Sequence, residues 1–278
     1  MKILILGATG LLGKALLREW NEDDVVGLGS REVDIRDAGR VREVVRDNRP
    51  DWIVLAAAHT DVDGCEKNQE QAFAVNRDGP VNVAEAAKSS GSKLLFLSSD
   101  YVFDGKKNSP YEVEDKRNPQ SVYGRSKAEA EIRLSEILPG CCIVRTSWLF
   151  GVDGKCFPDT ILKLAATRPA LDVVDDQRGC PTYSIDLAQA LIKLCRQDAR
   201  GIVHVTNTGE CTWFEFAREI VKKAGLKTEV RPVSTTQMAR PAPRPAYSVL
   251  SPARLHAYRI EMPVWRDALQ RYLTERTS

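Results

Sequence analysis

Residues 2–13 read KILILGATGLLG, and the fold is decided there. Residues 2–6 form a short apolar run of the kind carried by a strand covered on both faces. Gly7, Gly10 and Gly13 then stand three apart, and an apolar helical pattern runs on through Trp20. Strand, glycine-rich turn and helix opening make the first unit of a dinucleotide-binding fold. The glycines allow a tight turn and a close backbone approach to a pyrophosphate at the helix N-terminus. The spacing is GxxGxxG, not GxGxxG, so its weight comes from its place directly after a strand.

Alternation of strands and helices continues outward from that unit. Asp24 to Leu28 reads as a second strand, 37–48 as a helix and Trp52–Ala56 as a third strand. A helical stretch from roughly 69 to 89, a strand at Lys93–Leu97, a helix carrying YGRSK and a strand at Cys141–Arg145 follow. This order predicts an α/β protein with a doubly wound parallel sheet, the Rossmann class. Beyond residue 145 the pattern loosens into a helix at 156–167, the strand LDVV, the loop DDQRGCPT and a helix over 184–195. The strand IVHV, a helix opening at Thr212 and the proline-rich RPAPRPAY at 240–247 complete it. The expected organisation is a dinucleotide-binding Rossmann domain over residues 1–148. Residues 149–278 would form mainly a smaller C-terminal substrate-binding lobe, interleaved with the last sheet elements.

The 278 residues can bury a sizeable core. Forty basic and 38 acidic residues leave a net charge of +2, a balance that gives no sign of a nucleic-acid or membrane surface. No apolar run approaches the roughly 20 residues that cross a bilayer. The opening apolar run, about five residues, is shorter than that of a signal peptide, so a cytoplasmic location is expected. The seven cysteines show no CxxC and no zinc-type spacing with histidine, which predicts buried thiols in a reducing compartment. Cys180, beside Pro181 in a polar loop, is the one to watch.

Ser98 to Lys127 reads SSDYVFDGKKNSPYEVEDKRNPQSVYGRSK. Two hydroxyls stand where the strand KLLFL ends, and Tyr123 and Lys127 lie one helical turn apart on one face. A phenol, with an ordinary pKa of about 10, exchanges a proton more readily when an ammonium nearby favours the phenolate. Ser99 would hydrogen-bond the same substrate oxygen. Behind a dinucleotide-binding turn, this set suits carbonyl–alcohol redox chemistry. After the second strand no acidic residue is placed to hold unphosphorylated ribose. Ser30 and Arg31 suit a 2′-phosphate, which favours NADPH over NADH. Asp34 and Ile35 would flank the adenine. Ala56, Ala57 and Ala58 are small enough for a cofactor to lie against the end of the third strand. Asn76 is read either as a stiffener of a backbone turn near the site or as a surface amide.

The segments GATGLLG, AAAHTDVDGCE, AFAVNRDG, SSDYVFDG, PYEVED, YGRSKAEAE, RTSWLFG, DDQRGCPT and RPAYSVL occur in an order that resembles the dTDP-4-dehydrorhamnose reductases. These are extended members of the short-chain dehydrogenase/reductase superfamily. The resemblance implies reduction of the 4-keto group of a dTDP-sugar, dTDP-6-deoxy-L-lyxo-4-hexulose, to dTDP-L-rhamnose with NADPH or NADH. It implies that Gly7, Thr9, Gly10, Leu11, Leu12 and Gly13 hold pyrophosphate and that Ala56, Ala57, Ala58 and Ser98 line the cofactor. Tyr123 and Lys127 would be catalytic, with Ser99 where the family usually has threonine. Asp100, Val102 and Trp148, with Gln177 and Thr182, would contact the sugar nucleotide. Some relatives bind Mg²⁺ at a dimer interface through a glutamate two residues after the last loop glycine. Ala15 stands there, so no metal site is expected, and a homodimer is left open. Two other readings share the resemblance: a regulatory subunit like the beta subunit of methionine adenosyltransferase, and a reductase or epimerase of another nucleotide sugar.

Overall fold

In the computed structural model, which describes residues 1–277, the first half of the chain alternates strand and helix with few interruptions. β1 (Lys2–Leu6), α1 (Leu11–Glu19), β2 (Asp24–Leu28), α2 (Ala38–Asn48) and β3 (Trp52–Leu55) are followed by α3 (Val62–Lys67), α4 (Gln69–Phe73) and α5 (Gly79–Ser90). β4 (Lys93–Ser99), α6 (Val122–Ile137) and β5 (Cys142–Thr146) come next. The later part holds β6 (Leu149–Phe150), α7 (Phe157–Ala165), β7 (Ala170–Val174), β8 (Arg178–Gly179), β9 (Thr182–Tyr183) and α8 (Ser184–Arg196). It ends with β10 (Gly201–His204), β11 (Cys211–Thr212), α9 (Trp213–Lys223), β12 (Glu229–Val233), α10 (Thr235–Met238), α11 (Ala253–Ala257) and α12 (Trp265–Thr277).

Six strands form one parallel sheet in the order β2-β1-β3-β4-β5-β10. The chain leaves β1 towards one edge and returns to β3 on the other side of β1. That reversal opens a crevice at the carboxyl ends of β1 and β3, where open α/β sheets take their ligands. Period-two alternation sends Ile3 and Ile5 into one apolar layer with Leu12 and Leu16 of α1 and Leu187 and Leu191 of α8. Leu4 and Leu6 enter the opposite layer with Val41 and Val45 of α2, Val83 of α5 and Leu134 of α6. The first layer runs without a break into Phe150, Phe216, Trp265 and Tyr272 of the later part. With β10 paired to β5, the two halves of the chain share one core.

Two segments differ from the sequence reading. The helix expected over 69–89 is broken by a π-type turn at Ala74–Asp78. Pro80 has no N–H to donate to the Asn76 carbonyl, so the α-helical ladder cannot run through this point. DDQRGCPT is not a plain loop, because β8 pairs antiparallel with β11 and β9 pairs with β6. Its Cys180 is buried, and burial pushes the thiol up to about 11. All seven cysteines are free and buried. Among the described residues no helix is long and apolar enough to cross a membrane.

Candidate active site

The site begins with backbone packed on backbone. Gly7 has φ +93°, and a Cβ there would lie 2.5 Å from the Ala57 amide nitrogen. A Cβ on Gly13 would lie 2.2 Å from the Gly7 carbonyl oxygen. Only glycine lets the turn after β1 sit this close to the turn after β3. Gly10 caps α1 without a side-chain bond, which leaves the first amides of the helix free at the crevice. Gly10, Leu11, Leu12 and Gly13 line one end of a cleft of about 460 Å³, with Ala56 and Ala58 alongside.

The middle of the cleft is made where β4 ends. Ser99 Oγ accepts the Tyr101 N–H at 3.2 Å and lies 2.9 Å from Asp100 Oδ1. α6 is capped by Ser121, whose Oγ accepts the Gly124 N–H at 3.1 Å. A Cβ on Gly124 would fall 2.2 Å from the Tyr101 carbonyl oxygen, so this glycine lets α6 seat against the Asp100–Val102 turn. Tyr123 is thereby set edge-on to Tyr101, ring centroids 5.6 Å apart. Asn76 is fully buried: Oδ1 accepts the His59 N–H at 2.8 Å, and Nδ2 donates to the His59 carbonyl and to Ser126 Oγ. It stiffens the turn after β3 and ties it to α6, which excludes the surface-amide alternative.

Burial dominates the electrostatics here. It pushes the Tyr123 phenol above its ordinary value, with the nearby Ser99 hydroxyl opposing. It lowers the Lys127 ammonium to about 7, opposed by Glu131 one turn further along α6. Lys127 Nζ donates to the Leu97 carbonyl at 2.8 Å and sits 4.6 Å over the Phe96 ring. An ammonium that favours the phenolate was the expectation; in this site desolvation outweighs it, and Lys127 is not among the leading influences on Tyr123. Asp100 is 2% exposed, and burial raises its carboxyl to about 6 against the Ser248 and Ser99 hydroxyls.

The far wall is aromatic. Trp148 holds a left-handed φ of +47° and stacks on Trp213 at 3.5 Å and 9°. A Cβ on Gly179 would come within 2.7 Å of the Trp148 indole, so β8 backs the ring closely. Trp213 and Lys155 line the cleft and were missed in the sequence. The capping box at Thr212 marked a helix start there, but no local signal tells that its first residue faces a cleft.

Of the residues expected to contact substrate, Ser99, Asp100 and Trp148 line the cleft, whereas Val102, Gln177 and Thr182 do not. Val102 is buried in a separate apolar cluster with Phe103 and Leu250. Buried Gln177 donates to Thr235 Oγ1 at 2.8 Å, and Thr182 is fully buried in β9. On the cofactor side, Ser98 lines the cleft but spends its hydroxyl on Glu131 Oε1 at 2.5 Å. Gly7 and Ala57 form the packed turn behind it, and Thr9 packs against Gly29. Ser30 and Arg31 are exposed beyond β2, and Asp34 is ion-paired to Arg36. Ile35 is core, packed on Gly79. An acidic group does stand at the end of β2 after all: Glu32 folds back so that its carboxylate accepts the Gly29 N–H at 2.8 Å. Ala15 is wholly buried on the inner face of α1.

The model of the RmlD substrate binding domain matches residues 1–278. The chain belongs to this family. It is 40% identical over 279 residues to the spore coat polysaccharide biosynthesis protein SpsK of Bacillus subtilis, covering 100% of this chain and 98% of that one. Among solved structures it resembles a dTDP-4-dehydrorhamnose reductase of Clostridium acetobutylicum at 37% identity and a TM-score of 0.98, with both chains covered fully. It also resembles the dTDP-4-dehydrorhamnose reductase of Bacillus anthracis in complex with NADP, at 40% identity and a TM-score of 0.96, with 99% and 100% covered. The family and these neighbours make the chain an oxidoreductase of the Rossmann class.

The stacked indoles give the site an optical signature. Gly179→Ala is expected to push the Trp148 ring off Trp213 and weaken the near-ultraviolet circular dichroism of the pair, with the far-ultraviolet spectrum retained. An unchanged near-ultraviolet spectrum would show that β8 does not set the ring.

Proposed function

We propose that this chain reduces the 4-keto group of dTDP-6-deoxy-L-lyxo-4-hexulose to give dTDP-L-rhamnose, with NADPH preferred and NADH as the weaker donor. The observation that carries the reading is the convergence of Ser99, Tyr123 and Lys127 in one cleft with Gly10, Leu11, Leu12 and Gly13 at the start of α1. The cradle suits a dinucleotide. Its glycine contacts leave no room for side chains, and the uncapped start of α1 offers N–H donors to pyrophosphate. Bound there, the cofactor supplies hydride.

The protein's part is position and a proton. Tyr123 gives its phenolic proton to the sugar oxygen as that oxygen gains charge, and Ser99 holds the same oxygen in place. Lys127, set against the Leu97 carbonyl, would hold the nicotinamide ribose. A site this buried strengthens each of these interactions relative to water. Asp100 and the Trp148–Trp213 wall belong to the sugar side of the cleft. In this reading Thr182, whose N–H donates to the Trp148 carbonyl at 3.2 Å, supports that wall from behind. Residues after 148 supply Leu149, Lys155 and Trp213, which supports assigning the substrate lobe mainly to 149–278. Every group named comes from one chain, so the reading does not require a homodimer.

Tyr123→Phe is expected to fold and bind NADPH while kcat falls at least about 100-fold, the usual worth of a positioned acid. A near-wild-type rate would remove Tyr123 from the mechanism. Arg31→Ala is expected to weaken NADPH about tenfold more than NADH, measured by fluorescence titration, because one charge-assisted contact to the 2′-phosphate is lost. Equal losses for both cofactors would assign the 2′-phosphate elsewhere.

A further inference from the structure

Beyond its bond to Cβ, Ser99 Oγ has one proton and two lone pairs to place. The Tyr101 N–H occupies one lone pair. Asp100 Oδ1 and the Tyr123 hydroxyl are the other neighbours. An ionised Asp100 can only accept, so it takes the Ser99 proton. The remaining lone pair then draws the Tyr123 proton, and neither hydroxyl donates into the cleft. A neutral Asp100 with its proton on Oδ1 reverses this. It fills the last lone pair of Ser99, and both the Ser99 and the Tyr123 protons are released towards the cleft.

The surroundings of Asp100 favour the neutral form. Oδ2 is buried and no donor reaches it with hydrogen-bond geometry, and burial outweighs the Ser248 hydroxyl and the Asp100 and Tyr101 N–H groups, which favour the carboxylate. The groups facing the carboxyl are Ser99 and Tyr101 on its own turn, Tyr123 on α6, Cys180 before β9 and Ser248 from the C-terminal segment. None is a cation. Arg240 and Arg244 act on Tyr101, but both are ion-paired to Asp63. Lys127 is turned to the Leu97 carbonyl. An unpartnered oxygen costs far more on a buried carboxylate than on the carbonyl of a neutral acid. The upward shift of this carboxyl, to about 6, has the same cause.

Resting on the reductase reading, we infer that Asp100 works as a neutral carboxylic acid, a positioning residue that donates to Ser99 so that Ser99 and Tyr123 can both donate to the substrate carbonyl oxygen. Asp100 keeps its proton through the turnover. The proton delivered to the sugar oxygen is that of Tyr123, whose phenolate is reprotonated from water once product leaves.

The test is the pH dependence of kcat for the wild type and Asp100→Asn, whose amide donates to Ser99 at every pH. Wild-type kcat is expected to fall roughly eightfold from pH 5.5 to pH 7, following a group of pKa about 6. Asp100→Asn is expected to be slower on the acid side but level over that range. Lys127, also losing its proton as pH rises, titrates in both proteins, so the difference between them reports Asp100. The same fall in Asp100→Asn, or loss of its turnover at every pH with NADPH still bound, would overturn the inference. Infrared difference spectra of wild type against Asp100→Asn give a readout without substrate. A protonated-carboxyl C=O band at pH 5 that fades above pH 6 is expected, and carboxylate bands alone at pH 5 would contradict it. If the wild type reduces no dTDP-hexulose, the reductase reading fails, and the infrared band still decides the state of Asp100.

Discussion

The carboxylate of Glu131 is the tie on which the site's geometry depends. It sits on α6 with no exposure and accepts from Ser98 at the end of β4 and from buried Arg145 on β5. It also accepts from Arg117 in the preceding loop. One carboxylate thus fixes the two strands and the helix that carry Ser99, Tyr123 and Lys127. Removing one partner from such a buried pair leaves an uncompensated charge and costs about 3–5 kcal/mol. Arg145 also donates to the Val113 carbonyl and approaches His204 of β10, so the later return of the chain to the sheet is held by the same hub. Apart from Ser98, the groups of this tie lie behind the cleft and hold the strand ends and α6 from there.

That construction keeps these side chains buried, and burial governs their charges. For Tyr123, Lys127 and Asp100 the largest influence is burial, ahead of every neighbouring charge. Each group is pushed towards its neutral form: the phenol and the carboxyl up, the ammonium down. A neutral donor set suits a reaction whose charge appears only in the transition state, when an oxygen briefly becomes anionic. Hydroxyls aimed at that oxygen stabilise it without first binding an anion.

Much of this was legible in the chain. Parallel strands buried on both faces read as apolar runs, so the alternation from residue 2 to 145 announced the sheet. Gly7, Gly10 and Gly13 announced the crevice because steric need for glycine is local. The YGRSK helix placed Tyr123 and Lys127 on one face by spacing alone. What the chain hid depends on contacts between distant residues. Trp213 meets Trp148 only after β11, which leads into α9, has paired with β8, and Gly124 is required only because the Tyr101 carbonyl is in its way. Glu32 was overlooked because its carboxylate reaches the end of β2 by folding back over three residues. Val102, Gln177 and Thr182 stand in motifs that border the cleft while their own side chains are spent on packing or on other partners. Cys180, singled out in a polar loop, is buried because that loop carries two short strand pairings.

In the proposed reaction the cleft passes hydride directly to the C4 carbon of a dTDP-4-keto sugar. NADPH deuterated at the transferring position of the nicotinamide, incubated with the protein and dTDP-6-deoxy-L-lyxo-4-hexulose, tests it through proton and deuterium NMR of the product. The account predicts dTDP-L-rhamnose with the deuterium wholly at sugar C4. Deuterium left on the nicotinamide, or found at another sugar carbon, would contradict it.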